Sequence, residues 1–213
     1  MTFVTRDRLL LGAGVTTAAL LTAAAVVSST AAAHAATVGD PAPAFSEHDS
    51  TGRLVSLEEF RGKTVVLEWT NDGCPYVRNQ YATGNMQKTQ AAAVKDGVVW
   101  ISVISSRPGA QGYVTGKRAD ELTASRGAHP THVLLDADGS MGHAYGAKST
   151  PDMFVITPDG KIAYSGAIDS IETTNPAETA KATNYVVAAL HALKAGGKPD
   201  PALTRSYGCG VKY

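Results

Sequence analysis

The chain holds two cysteines, Cys74 and Cys209, and the first stands where local structure would make a thiol reactive. It follows the run Thr64-Val65-Val66-Leu67-Glu68-Trp69 and the turn residues Asn71-Asp72-Gly73, and Pro75 comes directly after it. Proline in that place reads as the first residue of a helix, where its missing N–H leaves no hydrogen bond unmade. Cys74 would then face the free backbone N–H groups of Tyr76 and Val77 and the positive end of the helix dipole. Both favour the thiolate, the form that attacks a peroxide or a disulfide sulfur. Arg78, one turn on, is a candidate cationic neighbour. The plainer reading is a structural cysteine serving as a small apolar side chain; the strand-to-helix position favours the reactive one.

The elements that must hold this turn follow from hydrophobic periodicity. Residues 64–69 and 98–104 read as buried strands. A helix is expected from Pro75 to Val94, interrupted near Thr83-Gly84-Asn85, and a weaker one over 112–126. His132-Val133-Leu134-Leu135 reads as a third strand, and residues 152–157 and 161–165 as a hairpin turning at Pro158-Asp159-Gly160. Asn175-Pro176-Ala177-Glu178 combines a cap, an N1 proline and an N3 acid. Ala182, Val186, Ala189, Leu190 and Leu193 then line one helix face, ended by Gly196-Gly197. This order predicts an α/β layer sandwich with parallel and antiparallel strands mixed in one sheet. A tail follows in which glycines flank Cys209 and would permit mobility.

Composition narrows the function classes. With 19 basic and 19 acidic residues in 213, the chain lacks the basic excess of a nucleic-acid partner. At 44% hydrophobic and 18% charged it has material for a core. Two cysteines neither build a disulfide-dense scaffold nor close a four-ligand zinc cage. His129-Pro130-Thr131-His132 has H-x-x-H spacing, with His143 nearby, but scattered surface histidines are the commoner explanation, and no metal is assigned. Asp136-Ala137-Asp138-Gly139 starts like a calcium loop, yet Ala147 stands where the closing acid belongs, so it reads as a turn. No Rossmann or flavin signature is present, so no cofactor is expected.

Arg6 and Arg8 precede an apolar run, and Ala33-His34-Ala35 has the A-x-A form of a signal-peptidase site. Residues 1–35 therefore read as a cleaved secretory leader and 36–213 as one exported domain, in a compartment where a disulfide persists. Membrane association is expected only if the leader stays uncleaved.

Gly73-Cys74-Pro75-Tyr76-Val77 after a strand, and Ser149-Thr150-Pro151 before another, resemble the two active-site landmarks of the thioredoxin-like fold. With Gly39-Asp40-Pro41-Ala42-Pro43-Ala44-Phe45, Tyr145-Gly146-Ala147 and the terminal Tyr207-Gly208-Cys209-Gly210-Val211-Lys212-Tyr213, the chain resembles the peroxiredoxin-like, or redoxin, branch of the alkyl hydroperoxide reductase and thiol-specific antioxidant superfamily. The resemblance covers nearly all of 36–213 and implies a three-layer α/β/α sandwich with a mixed central sheet. It further implies a cis Thr150–Pro151 bond beside the reactive thiol, with Pro151, the Thr150 backbone and Pro75 shaping the substrate cleft.

Glu68 lies where thioredoxins carry a buried acid, as a proton relay, although a solvent-facing strand end accounts for it equally. Val77 replaces the second cysteine of the thioredoxin turn, so no dithiol cycle runs within it. Leu67 and Asn71 replace the proline and the threonine or serine of typical peroxiredoxins. Thr70 and Asn71 remain as substitute hydrogen-bonding groups for a peroxide, and Arg107 and Arg126 as candidates for its cation. Cys209 is a resolving thiol for Cys74, one half of a permanent disulfide, or a cysteine that never meets it.

These features predict an exported thiol oxidoreductase, a peroxiredoxin-like antioxidant protein with Cys74 as nucleophile and Cys209 as resolver. Its substrate would be a peroxide or a protein disulfide, and its electron donor a thiol protein. A thiol-disulfide reductase or carrier for exported proteins is the first alternative, and a non-catalytic thioredoxin-fold binding module the second.

Overall fold

The computed structural model describes residues 1–3 and 36–213. The bulk of the expected leader, with its A-x-A site, lies outside the described residues. A short hairpin, β1 (Ser46–His48) and β2 (Leu54–Ser56), leads into a single 3-10 turn at Leu57–Phe60. There follow β3 (Val65–Trp69), α1 (Pro75–Ala82), α2 (Asn85–Lys95), β4 (Val99–Ile104), α3 (Gly116–Ser125) and β5 (His132–Leu135). Next come α4 (Ser140–Tyr145), β6 (Ser149–Thr150), β7 (Asp152–Ile156) and β8 (Ile162–Gly166). The chain closes with α5 (Pro176–Thr179), α6 (Tyr185–Lys194) and β9 (Cys209–Gly210).

The central sheet has the order β5-β4-β3-β7-β8, parallel across β5, β4 and β3 and antiparallel across β3, β7 and β8. It is the mixed sheet that the element order predicts. Every residue of β3 is buried, which is why that strand reads as a continuous apolar run. Alternation along it still divides the core. Val65, Leu67 and Trp69 pack with Phe45, Phe60, Tyr145 and Phe154 on one face. Val66 packs with Val77, Tyr81, Met86 and Trp100 under α1, α2 and α6 on the other. Glu68 belongs to the second face by the same parity, which puts a carboxylate beneath the helix that starts at Cys74. Trp69, Tyr145 and Phe154 cluster with ring centroids 5.3–5.5 Å apart, Phe154 edge to face with the other two and Trp69 tilted on Tyr145, each pair adding about 0.5–1.5 kcal/mol beyond its burial. This cluster makes the end of β3 a rigid base for the turn that follows.

Three expected elements are redrawn. The helix expected over 112–126 begins only at Gly116, because Gly112 takes φ +87° with its α-carbon pressed against the Asn71 side chain. The last helix is two, because Asn184 accepts a hydrogen bond from the Val187 N–H and caps a fresh start after α5. The Asp136–Gly139 turn opens α4, which the sequence pattern does not announce: Asp136 accepts from the Met141 and Gly142 N–H groups. Among the described residues no helix is long and apolar enough to cross a membrane.

Candidate active site

Cys74 is the N-cap of α1 (φ −80°, ψ 124°), with Pro75 at N1, and its side chain is wholly buried. The thiol donates to the Thr150 carbonyl at 3.0 Å. The Thr150–Pro151 peptide bond is cis, and Ser149–Thr150 is strand β6. The strand paired with β6 is β9, antiparallel, with Thr150 opposite Cys209 and Ser149 opposite Gly210. Two segments far apart in sequence thus meet at one residue, and Cys209 packs against the buried cluster that holds Cys74. Both cysteines are free thiols.

The tail is strapped down, contrary to the mobility its glycines suggest. Tyr207 is buried, its hydroxyl donating to Asp169 Oδ1 and accepting from Gln80 Nε2 at 3.2 Å. Beyond Cys209, the Val211 N–H donates to the Lys148 carbonyl and the Arg107 N–H to the Lys212 carbonyl. Tyr213 donates to the Ala147 carbonyl at 2.7 Å and stacks on His143 at 3.9 Å between ring centroids. Anchors on both sides therefore set Cys209 against Cys74.

Electrostatics make the two thiols unequal. Burial pushes Cys74 up, but donation from the Cys209 thiol and the Val77 N–H, together with Thr150, outweighs it and holds Cys74 below the ordinary thiol value. One contact opposes this, since the bond from Cys74 S–H to the Thr150 carbonyl exists only in the protonated form. Burial, then donation to Cys74 and the charge on it, push Cys209 up to about 11. Cys209 is thus the proton-bearing partner of a Cys74 thiolate. Cys209→Ala should accordingly move the pH midpoint of Cys74 alkylation by iodoacetamide upward, because the largest stabilising hydrogen bond to the thiolate is gone. An unchanged or lower midpoint would show that the tail contributes nothing to acidity.

The other expected site residues are placed as follows. Asn71 is committed to the turn: its Oδ1 accepts from the Gly73 N–H at 2.8 Å and its Nδ2 donates to the Gln111 carbonyl at 3.1 Å. Arg78 turns back to the Asp72 carbonyl at 2.7 Å and does not reach the thiol, because its exposed guanidinium folds toward the turn preceding the helix. Arg126 pairs with Asp72 at 3.0 Å and lies 5.0 Å over the Tyr81 ring, and Arg107 binds the Tyr213 backbone. Glu68 is wholly buried and accepts from Tyr81 and Trp100 at 2.9 Å, Gln90 at 2.9 Å and Ser102 at 3.2 Å. Its solvent-facing alternative is therefore removed, and no thiol is among its partners. His132 pairs with Asp49 at 3.1 Å while His143 lies under Tyr213, so the histidines that hinted at metal spacing serve separate contacts.

Asp152, directly after the cis-proline, has a role that sequence reasoning missed. It is buried and accepts the Lys148 N–H at 3.0 Å. Burial pushes its pKa up to about 6. It pins the start of the cis-proline loop. Its position in Thr-Pro-Asp is the only sequence signal for it.

Residues 37–183 match the Redoxin family. Thiol-disulfide oxidoreductase ResA of Bacillus subtilis is 28% identical over 131 residues, 58% of this chain and 64% of ResA. The match therefore spans less than two thirds of that relative. Among solved structures, an uncharacterized conserved protein from Geobacillus kaustophilus superposes with a TM-score of 0.72 at 23% identity, over 83% of this chain and 92% of that one. The thioredoxin domain of a thiol-disulfide oxidoreductase from Bacteroides vulgatus gives a TM-score of 0.50 at 22% identity, over 68% and 96%. The last two speak for the fold alone. A mixed five-stranded sheet, a cysteine at the head of α1, a cis-proline against it and a family match over most of the chain lead to one assignment: the chain belongs to the Redoxin family and has the thioredoxin-like fold.

Proposed function

We propose that the protein is an exported thiol-disulfide oxidoreductase with Cys74 as nucleophile and Cys209 as resolving thiol, and that residues 36–213 are its working domain. The observation that carries this reading is the β6–β9 pairing, which sets Cys209 opposite Thr150, the residue whose carbonyl the Cys74 thiol meets. The Cys74 thiolate attacks one sulfur of a substrate disulfide; a mixed disulfide forms, and the other substrate sulfur leaves and takes up a proton. That step removes the negative charge on Cys74, and with it two of the influences that keep Cys209 protonated. Cys209 then loses its proton and attacks the Cys74 sulfur, forming the Cys74–Cys209 bond and releasing the second substrate thiol. The substrate disulfide is reduced by two electrons as the protein dithiol is oxidised. A thiol protein returns it to the reduced state.

The disulfide reading is favoured over a peroxidase because, of the groups that would orient and polarise a peroxide, all but the buried and unpartnered Thr70 hydroxyl are engaged elsewhere. Asn71 holds the turn, Arg78 and Arg126 hold Asp72, and Arg107 holds the C-terminal residue. The name of the Bacillus relative points the same way. Export rests on the leader composition and on the oxidising compartment that a disulfide cycle requires.

One equivalent of insulin disulfide should convert the reduced protein to a Cys74–Cys209 disulfide, seen by mass spectrometry. Cys209→Ser should stop at a mixed disulfide on Cys74. Faster turnover of hydrogen peroxide than of disulfide would return the assignment to a peroxidase, and a Cys74 left reduced by both would end it.

A further inference from the structure

The wholly buried state of Cys74 raises the question of how an external sulfur reaches it. The structure contains one sulfur that does so, that of Cys209, and the backbone around Cys209 shows what the approach demands. At Gly208, φ is +129° and an added Cβ would lie 2.0 Å from the Thr150 carbonyl oxygen, the atom to which the Cys74 thiol donates. The position before the approaching cysteine therefore has no room for a side chain. Two positions before it, the Tyr207 ring is buried against Tyr76 at 5.7 Å between centroids, and its hydroxyl meets Asp169 and Gln80. After the cysteine, Gly210 is exposed, with nothing nearer to an added Cβ than the Lys148 carbonyl at 4.0 Å. Val211 is half-buried and its N–H closes on the Lys148 carbonyl.

We infer that the chain's own tail occupies the substrate edge of β6 as a tethered copy of a partner, and that this edge therefore selects extended cysteine-bearing segments with the pattern aromatic-Gly-Cys-any-apolar. The inference rests on the thiol-disulfide reading and specifies its substrate class. A partner strand and the tail cannot both pair with Thr150, since one edge accepts one strand. The tail lifts when a partner enters, the partner's sulfur meets Cys74, and the returning tail brings Cys209 to the mixed disulfide while displacing the partner. Glycine before the cysteine is the selective element. Its loss would place a side chain on the Thr150 carbonyl.

The test uses the full chain carrying Cys209→Ser, so that Cys74 is the only thiol. The probes are the peptide Ser-Tyr-Gly-Cys-Gly-Val-Lys, its cysteine activated as a 2-thiopyridyl disulfide, and the same peptide with valine before the cysteine. Attack by the Cys74 thiolate on the peptide sulfur forms the mixed disulfide and releases pyridine-2-thione, whose absorbance gives the rate. The glycine peptide should react at least about tenfold faster than the valine peptide, a difference of about 1.4 kcal/mol. Adding Tyr213→Ala, which removes an anchor of the tail, should speed the glycine peptide by about tenfold more. Equal rates for the two peptides would overturn the selectivity for glycine while leaving the redox reading intact. Reaction with neither peptide, where iodoacetamide still alkylates Cys74, would overturn both. A glycine-peptide rate indifferent to Tyr213→Ala would refute occupation of the edge by the tail.

Discussion

Cys74→Ser should lower disulfide-reductase turnover at least about 10³-fold while leaving the fold intact. The expected effect is large because the change removes the nucleophile and little else. Serine is close to isosteric with cysteine, its hydroxyl can still donate to the Thr150 carbonyl, and it is a favourable N-cap where cysteine is not. What it cannot do is ionise: the helix N-terminus and the donors from Cys209 and Val77 bring a thiol below its ordinary pKa, but an alcohol starts far too high for the same help to matter. The variant should therefore melt close to the parent and fail to acquire any mixed disulfide. Retained turnover would move the chemistry to Cys209 or away from thiols altogether, and would revive the reading of the chain as a binding module.

The halves of this site differ in how openly the sequence declares them, and the difference is physical. The Cys74 turn is local: a buried β-branched strand, Asp-Gly, then Cys-Pro are contiguous, and each constrains the next through backbone geometry. Pro151 is nearly as local, because a proline leading a strand is visible without tertiary context. The partnership of Cys209 with Cys74 is not local at all. It depends on β9 finding β6, a pairing of two residues on each strand that no periodicity can reveal. Gly208 and Gly210 suggest freedom in the sequence, whereas one of them is there because a carbonyl oxygen leaves no room for a side chain. Asn71 and Arg78 show the opposite error. Their types fit catalysis, but nearer backbone partners in the turn claim them first. Among the elements, the strands were legible because burial on both faces leaves a β-branched run, while α4 was hidden by its brevity and by a start built from an aspartate in a turn.

Glu68→Ala should destabilise the protein by about 3–5 kcal/mol, the usual cost of stranding buried polar groups that shared one acceptor. Tyr81 and Gln90 come from α1 and α2 and Trp100 and Ser102 from β4, and all four donate to this one carboxyl. The carboxyl thus ties the helix headed by Cys74 to the strands beneath it, and its removal leaves Tyr81, Trp100 and Ser102 without an acceptor in a dry interior, Gln90 keeping only the Tyr81 hydroxyl. Glu68→Leu should do no better, since it fills the volume without satisfying the donors. The same group gives stability a pH slope. Burial pushes its pKa above 4.5, against the lowering effect of Trp100, Tyr81, Gln90 and Arg126. The folded state therefore keeps a proton that the unfolded state has already released. The associated stabilisation is complete below about pH 4.5 and is lost as pH rises through the folded-state pKa. Asp152 adds a slope of the same sign up to about pH 6, so Glu68 is isolated by difference. Urea unfolding of the parent and of Glu68→Gln across pH 4 to 8 should show the parent losing stability with rising pH relative to the variant, because glutamine does not titrate. A difference curve of the opposite slope would mean that the carboxylate is stabilised as an ion, and the tie between helix and sheet would then be a charge anchor whose strength grows with pH.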